Sequence, residues 1–417
     1  MTTSNNTVDN NLKSDAIVTP KTTDIKDVFI DIKRVRPLSE VHNVFKKYLH
    51  ITDIKRIDTL LAVALSNGLK GTPIWVIFVG NSGDAKTAMA ITLDGMDNVK
   101  KVDQLTVNTL ASGKEGATDL GSEVDGKDII LLIPDLASLI SKRSDDKNEI
   151  WGQFRNLFDG FINKRTGSGI NKKYDNCHIT LIAGATPIIR SETLIHAQLG
   201  TRELMYDTEA ILSDNKDKLN KAWDNEQCED EMLREMKYTV RLFLDSCVIK
   251  DIKIPKDIKE FLIDESTRLS ILRATTDIDR SGEVKNPVCP EVPTRVLKQF
   301  KRLYICLKSL SDNYTDKDAK EVITHIVNSS GDKIRWSILK FLMGEPDKYF
   351  TIPDIQEHLK IGRKAIKIRL EILWNMEQVR KYTEIENVGG ILAFNNDGEE
   401  YYRGGRNEEV SHYAYKE

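Results

Sequence analysis

Val79-Gly80-Asn81-Ser82-Gly83-Asp84-Ala85-Lys86-Thr87 decides how this chain is read. An apolar run, Ile74-Trp75-Val76-Ile77-Phe78-Val79, leads into it, and a helix-forming run, Ala88-Met89-Ala90-Ile91, leads out. Strand, tight turn and helix in that order form a phosphate-binding loop of pattern G-x-x-x-x-G-K-[ST], with Ala85 in place of the second glycine. The chemistry needs this layout. A turn at a helix start points several backbone N–H groups at one phosphate, which the helix dipole also favours. The expected cofactors are therefore ATP and Mg²⁺. The expected nucleotide-binding residues are Gly80, Asn81, Ser82, Gly83, Asp84, Ala85, Lys86 and Thr87. Lys86 would reach the β- and γ-phosphates, and Thr87 would hold Mg²⁺ through its hydroxyl. The competing reading is a glycine-rich turn with a surface lysine.

Further strand candidates are Val102 to Val107, Asp128 to Ile133 and His178 to Ala183, with helical segments between them. Buried strands alternating with helices argue for a three-layer α/β domain with a mainly parallel sheet. Ile129-Ile130-Leu131-Leu132-Ile133-Pro134-Asp135 places a carboxylate at a strand's carboxyl end, where it could hold a Mg²⁺-bound water. AAA+ ATPases carry a catalytic glutamate just after that aspartate, and Leu136 stands there instead. Asp135 is thus open to two roles: metal partner, or base with Pro134 in the metal-ligand slot. A plain loop aspartate is the third reading. Thr186, in Gly184-Ala185-Thr186-Pro187, is the candidate for the polar residue that positions the attacking water. Its alternative is a threonine before a proline-led turn.

The chain has 417 residues, enough for two or three domains. Its formal net charge of -3 excludes a global basic field, so any DNA contact must come from local patches. The five cysteines lie far apart with no CxxC pair, which argues against a zinc ribbon or redox motif and fits a reducing cytosol. A cytoplasmic location is expected. No apolar run approaches a membrane span, so no membrane partner is expected. The expected organisation is a disordered tail (1–25), the α/β core (26–205), a helical lid and linker (206–330), and a C-terminal module (331–417). In that module Ile334 to Leu342, Pro353 to Leu359 and Arg363 to Met376 read as three helices. Two strand-like runs, Gln378 to Glu384 and Gly390 to Phe394, follow with a turn around Asn387-Val388-Gly389. That is the winged-helix order. Arg363, Lys364 and Lys367 then lie on the polar face of the third helix, placed to meet duplex DNA. The alternative is a winged helix used for protein contacts.

Gly80-Asn-Ser-Gly-Asp-Ala-Lys-Thr resembles the alanine-containing phosphate loop of minichromosome maintenance (MCM) replicative helicases. Ile179-Thr-Leu-Ile-Ala-Gly-Ala-Thr-Pro is similar to their sensor strand. Leu199-Gly200-Thr201-Arg202-Glu203-Leu204 looks like their arginine-finger segment, and Pro293-Thr294-Arg295-Val296-Leu297 like the start of their second sensor helix. Phe158-Asp159-Gly160-Phe161 also resembles MCM-like ATPases of phages and mobile elements. The resemblance spans roughly residues 40 to 310. It implies an AAA+ core acting as a ring, a hexamer in the family's manner, with ATP between subunits. Arg202 would reach a neighbour's γ-phosphate, and Arg295 would serve as second sensor. A surface salt bridge and an ordinary helix-start arginine are the alternatives. The family also carries a DNA-contacting hairpin before the sensor strand. Residues 161–173 fit one, with Gly167 and Gly169 at the turn and Lys164, Arg165, Lys172 and Lys173 facing single-stranded DNA in a pore. A solvated basic loop is the alternative. The chain has no room for the large N-terminal domain of cellular MCM proteins.

Three functions follow in order of expectation. The first is an ATP-driven DNA motor, a replicative-type MCM-like helicase, with replication proteins as possible partners. The second is a replication initiator or loader ATPase that uses nucleotide state as a switch. The third is a transcription regulator with a degenerate ATPase core; intact Lys86 and Thr87 count against it.

Overall fold

The computed structural model describes residues 36–416, except 115, 117, 166, 168, 192–200, 209–214, 277, 280–283, 389–390, 395–399 and 404–405. The expected tail at 1–25 and residues Leu199 and Gly200 of the arginine segment lie outside the described residues.

Helices α1 (Leu38–Tyr48) and α2 (Lys55–Ser66) come first. Then follow β1 (Trp75–Val79), α3 (Lys86–Ile91), β2 (Val99–Lys101), α4 (Leu120–Val124), β3 (Asp128–Ile133), α5 (Ala137–Ile140) and α6 (Ser144–Phe158). A hairpin of β4 (Ile162–Arg165) and β5 (Asn171–Tyr174) leads to β6 (His178–Ala185) and β7 (Leu204–Asp207). Strands β1, β2, β3, β6 and β7 form one parallel sheet of order β2-β3-β6-β1-β7, while β4 and β5 pair with each other.

Alternation along β1 shows why this sheet is buried on both faces. Trp75, Ile77 and Val79 point into a core shared with α6, through Phe154, Leu157 and Phe158. Val76 and Phe78 point into a second core with α1, α2 and the later helices. After α7 (Asn215–Asn225), whose Leu219 and Trp223 are exposed, those helices are α8 (Glu229–Ser246), α9 (Lys256–Arg273), α10 (Thr294–Ser309) and α11 (Asp316–Ser330). Because β7 pairs with β1 from Val76↔Leu204 to Val79↔Asp207, the sheet runs past residue 205.

The run Val102 to Val107 is not a strand; β2 lies three residues earlier. Only the Val102 N–H still joins the sheet, donating to Leu132 O at 2.9 Å. Beyond it Thr109 Oγ1 accepts the Thr106 N–H at 2.8 Å, a local turn that competes with the ladder.

The C-terminal segment contains α12 (Lys333–Gly344), β8 (Phe350–Thr351), α13 (Ile352–Leu359), α14 (Arg363–Asn375), β9 (Val379–Val388), β10 (Ile391–Phe394), β11 (Glu400–Arg403) and β12 (Arg406–Tyr415). The expected pairing of the two ribbon strands is corrected here. Strand β9 pairs along its length with β12, β12 also takes β8, and β10 pairs with β11. Tyr413 of β12 is buried and donates to Glu371 Oε1 at 2.9 Å, which fastens β12 to α14 and fixes the register. The turn residue Gly389 lies outside the described residues. Arg335 ties the segment to the rest: its buried guanidinium donates to Ile271 O of α9 at 2.7 Å, and its N–H caps on Asp332 at 3.0 Å.

Trp75 joins β1 to both β6 and α6. Its Nε1 donates to Ile179 O at 2.7 Å, and its ring meets Phe158 edge-on at 5.2 Å between centroids. Trp75→Ala should lower stability by about 3–5 kcal/mol, measured by chemical denaturation. A loss below about 1 kcal/mol would show that the sheet does not depend on this contact.

Candidate nucleotide-binding site

The sheet order creates the site. The connection after β1 crosses to the far edge at β2, and the chain after β6 returns to the other side at β7. Ligands bind beyond the carboxyl ends of parallel strands at such a switch point. Three loops leave there: Gly80 to Ala85 from β1, Pro134-Asp135 from β3, and Thr186 from β6. With β6 between them, the ends of β1 and β3 are about 10 Å apart. Lys86, Thr87, Asp135 and Thr186 all line one cavity of about 370 Å³ at this place.

The loop geometry follows from its residues. Gly83 (φ 81) and Ala85 (φ 56) both take left-handed backbone. For alanine this costs about 1 kcal/mol, so the residue sits where glycine is the easier choice. Gly80 packs so closely that a Cβ would overlap Thr208 Oγ1. Lys86 Nζ donates to Asn81 O at 2.6 Å, folding the lysine back across the loop. Helix α3 has six residues, so its dipole is short. If the loop holds phosphate as expected from its sequence, its backbone N–H groups and the Lys86 charge would supply most of the grip.

Asp135 is exposed, and its Oδ1 accepts the Ala137 N–H at 2.8 Å. Thr87 is exposed at the start of α3. One hydroxyl and one carboxylate suit Mg²⁺ brought in with a nucleotide, which keeps most ligands as water and phosphate oxygen. No group of three or more His, Cys, Asp and Glu gathers as a metal site among the described residues. Glu229 of α8 also lines the cavity, opposite the strand that lacks a glutamate after Asp135.

Two functional residues escaped the sequence reading. Asp84 is buried in the loop between Lys218 Nζ of α7 at 2.9 Å and Arg56 Nη1 of α2 at 3.6 Å. Burial pulls the Arg56 pKa down. Arg56 sits in an apolar helix with no pattern to mark it, and Lys218 lies far along the chain. Lys218, Lys221 and Asn225 of α7 line the cavity wall facing the loop. Lys221 Nζ and Asn225 Nδ2 donate to the Lys47 and Tyr48 carbonyls at 2.6 and 2.7 Å, tying α7 to the end of α1.

Arg202 and Arg295 lie elsewhere. Arg202 precedes β7 and stands near the level of Ile74, at the amino end of β1. Six residues of strand, about 20 Å, separate it from Gly80. Arg202 Nη2 bonds Asp159 Oδ2 at 2.9 Å. Arg295 Nη1 donates to Thr201 O at 3.3 Å and lies 3.9 Å from Glu291. The two arginines are therefore together, and away from their own phosphate loop.

The hairpin separates the four basic residues expected to face DNA. Lys164 and Lys172 are opposite each other and turn inward. Lys164 Nζ donates to Val107 O at 2.8 Å, and Lys172 Nζ pairs with Asp119 at 2.8 Å. Arg165 and Lys173 are exposed on the other face, Lys173 pairing with the exposed Asp175 at 2.6 Å. At the turn Gly169 has positive φ (88), whereas Gly167 does not. On α14, Arg363 and Lys364 are exposed and Lys367 is half-buried, with Ile366, Leu370 and Leu373 in the core beneath.

No family model matches the chain, and no curated protein matches it. Among solved structures, a full-length MCM homolog from Methanopyrus kandleri is similar at 14% identity and a TM-score of 0.40. The likeness covers 75% of this chain and 64% of that chain, so the chain spans less than two thirds of that structure's length. At this score the likeness carries no argument about fold or activity. No described helix is long and apolar enough to cross a membrane.

Burial lowers the Lys86 pKa from 10.5, with Asp84 and Asp135 raising it in part and Arg56 adding to the fall. The unfolded chain holds this proton to higher pH, so the group favours folding more as pH rises through the window below 10.5. Phosphate binding runs the other way, since it needs the charged form. Affinity for a fluorescent ADP analogue should fall within that window, and Lys86→Arg should move the fall to higher pH. An affinity that stays flat through pH 10.5 would remove Lys86 from the phosphate contact.

Proposed function

We propose that this chain is an ATPase with an AAA+-type core that drives work on DNA, and that its C-terminal segment is a winged-helix module. The observation that carries the proposal is the convergence of Lys86, Thr87, Asp135 and Thr186, from three strand ends, on one cavity. ATP supplies the phosphoanhydride to be cleaved. Lys86 and the loop amides would hold the β- and γ-phosphates, and Thr87 and Asp135 would hold the accompanying Mg²⁺, which would neutralise phosphate charge. Thr186 orients the attacking water. These parts assemble from the ends of strands β1, β3 and β6.

Arg202 and Arg295 cannot reach this cavity within their own chain, as the strand length above requires. In the proposed ring each serves the cavity of a neighbour. A guanidinium suits that task because its planar fork and permanent charge match the oxygens of the transferring phosphoryl group. Its contribution to rate is about 10³- to 10⁵-fold. For DNA, we assign phosphate contact to Arg165 and Lys173 on the hairpin's outer face and to Arg363, Lys364 and Lys367 on α14. These contacts position DNA more than they read its sequence. The sequence resemblance of Gly80 to Thr87 and of Ile179 to Pro187 to MCM segments makes a helicase the first reading.

A second reading has its own support. Leu136 follows Asp135, and Glu229, the glutamate lining the cavity, comes from a helix rather than from β3. Slow hydrolysis would suit a replication initiator or loader that reads nucleotide state as a switch. ATP turnover with and without single-stranded DNA, together with strand displacement on a forked duplex, separates the two.

Lys86→Ala should reduce ATP turnover to background while the thermal midpoint stays within a few degrees. Unchanged turnover would refute the assignment. Adding Arg202→Ala subunits to wild type should depress activity more than dilution does, because each substituted chain disables its neighbour's cavity. A proportional fall would argue for self-contained sites. Arg165→Glu with Lys173→Glu should weaken single-strand binding and flatten its dependence on salt by about two counterions. Lys172→Glu should instead destabilise the fold, since it sets a glutamate against buried Asp119.

A further inference from the structure

We propose that the hollow between α9, α12 and α14 binds a phosphate-type oxyanion, and that the bound anion fastens the C-terminal helices to the α/β part of the chain. Neither a nucleotide nor a neighbouring copy plays a part in this site.

The turn from α11 to α12, Ser329-Ser330-Gly331-Asp332-Lys333, gathers the site. Arg190, from the loop after β6, donates through Nη1 to Ser329 O at 2.6 Å. Arg273, the last residue of α9, donates through Nη2 to Glu203 O at 2.6 Å and through Nε to Ser330 O at 3.4 Å. Arg369 of α14 pairs through Nε with Asp332 Oδ2 at 3.0 Å. Lys333 opens α12. These four cations and Asp332 all line one hollow of about 230 Å³. At about 30 Å³ per water, that volume holds a small oxyanion and a few waters. Helix α12 begins at its wall, and the N–H groups of a first turn have no partner within their own helix.

The acids nearby are already engaged. Asp207 serves Arg190 and Lys333 together. Asp332 serves Arg369 and also accepts the Arg335 N–H at 3.0 Å. Buried Arg335 stands behind Asp332 as a fifth cation, its guanidinium bonded to Ile271 O. Glu203 and Glu291 act on Arg273 from a distance, and Arg295 opposes them. Among the described residues no carboxylate pairs with Arg273: its bonds go to two carbonyls, and its Nη1 is buried with no partner. A guanidinium shut away from water without a counter-ion is strongly unfavourable. An oxyanion in the hollow supplies that counter-ion. The cations approach from one loop and three helices, so an anion with oxygens in several directions satisfies them where a flat carboxylate does not. A guanidinium fork also takes two phosphate oxygens at once. Arg190 and Arg273 belong to the α/β part and its helices, Lys333 and Arg369 to the C-terminal segment, so one anion bridges the two.

Isothermal titration calorimetry of the full chain with inorganic phosphate, at constant ionic strength set by chloride, tests the site. The loop at Gly80 to Thr87 is a second place for phosphate, so the titration is made in Lys86→Ala, which should still bind. In that background Arg273→Gln and, separately, Arg369→Gln should raise the dissociation constant at least about tenfold. Amide exchange locates the anion without relying on any variant at the hollow. Phosphate should slow exchange across residues 329–335 of wild type, and Arg202→Ala should keep that protection. Glycerol phosphate names the source: binding tighter than phosphate assigns the site to a small phosphorylated molecule, and equal or weaker binding assigns it to the free ion. No uptake by Lys86→Ala, an unchanged constant in both arginine variants, or protection confined to residues 80–87 would each overturn the proposal. So would protection that chloride alone reproduces or that Arg202→Ala removes. Binding of the fluorescent ADP analogue to wild type is read in parallel. Its absence would sink the nucleotide reading and leave the phosphate result at residues 329–335 standing.

Discussion

A carboxylate in a loop shaped to hold phosphate must be neutralised, and the neutralisation of Asp84 ties the site together. Asp84 is buried, and it faces Arg56 from α2 and Lys218 from α7. Removing a single partner of a buried charge leaves the other uncompensated, at a cost of about 3–5 kcal/mol. The loop therefore cannot be held in place without both helices. Lys218 also lines the cavity. Under the proposed function, a bound nucleotide's phosphates and Asp84 would compete for that one ammonium group, and α7 carries it.

The sheet divides the chemistry between its two ends. At the carboxyl ends stand the phosphate loop, Asp135 and Thr186; near the amino ends stand Arg202, Arg295 and Gln299. Gln299 Nε2 donates to Pro73 O at 3.3 Å and to Arg202 O at 3.0 Å, so α10 fixes the approach to β1 and to β7 with one side chain. The arrangement is rigid, since all five residues of β1 are buried. Under the proposed function, the cations at the amino ends would serve a cavity other than that of their own chain.

The parts that could be read from sequence were those with local patterns. Gly80 to Thr87 carries its own punctuation, and the runs 128–133 and 178–183 are continuous apolar stretches that became β3 and β6. The short strand β7 offered no such run: Leu204-Met205-Tyr206-Asp207 is four residues long and depends on β1 for its pairing. Strand β12 was missed for a related reason. Its polar sequence, Arg406 to Tyr415, acquires a strand identity only through β9 and β8. The inward turn of Lys164 and Lys172 follows from a period of two, but which face was inward required Asp119 to be seen beside it. Arg56 and Lys218 are pairs made across the fold, and neither has a neighbour in sequence that announces it.

Asp207 extends this logic from the nucleotide end to the C-terminal segment. Its carboxylate pairs with Arg190, just after Thr186, and with Lys333 Nζ at 2.6 Å, at the start of α12. Arg190 Nη1 also donates to Ser329 O at 2.6 Å. The loop after β6, the end of β7 and the first turn of α12 therefore share one charged junction. Tyr206 next to it donates to Asp53 at 2.5 Å, beside the start of α2. A displacement of Thr186 must move Arg190, and Arg190 cannot move without changing what Lys333 and Ser329 face. Coupling between two sites needs contacts that differ between states. This junction joins the two sides in one charged cluster: the loop after β6, which borders the cavity, and α12, which leads to α13 and α14. Under the proposed function, phosphate chemistry in the cavity would have a side-chain route to α14 through Arg190, Asp207 and Lys333.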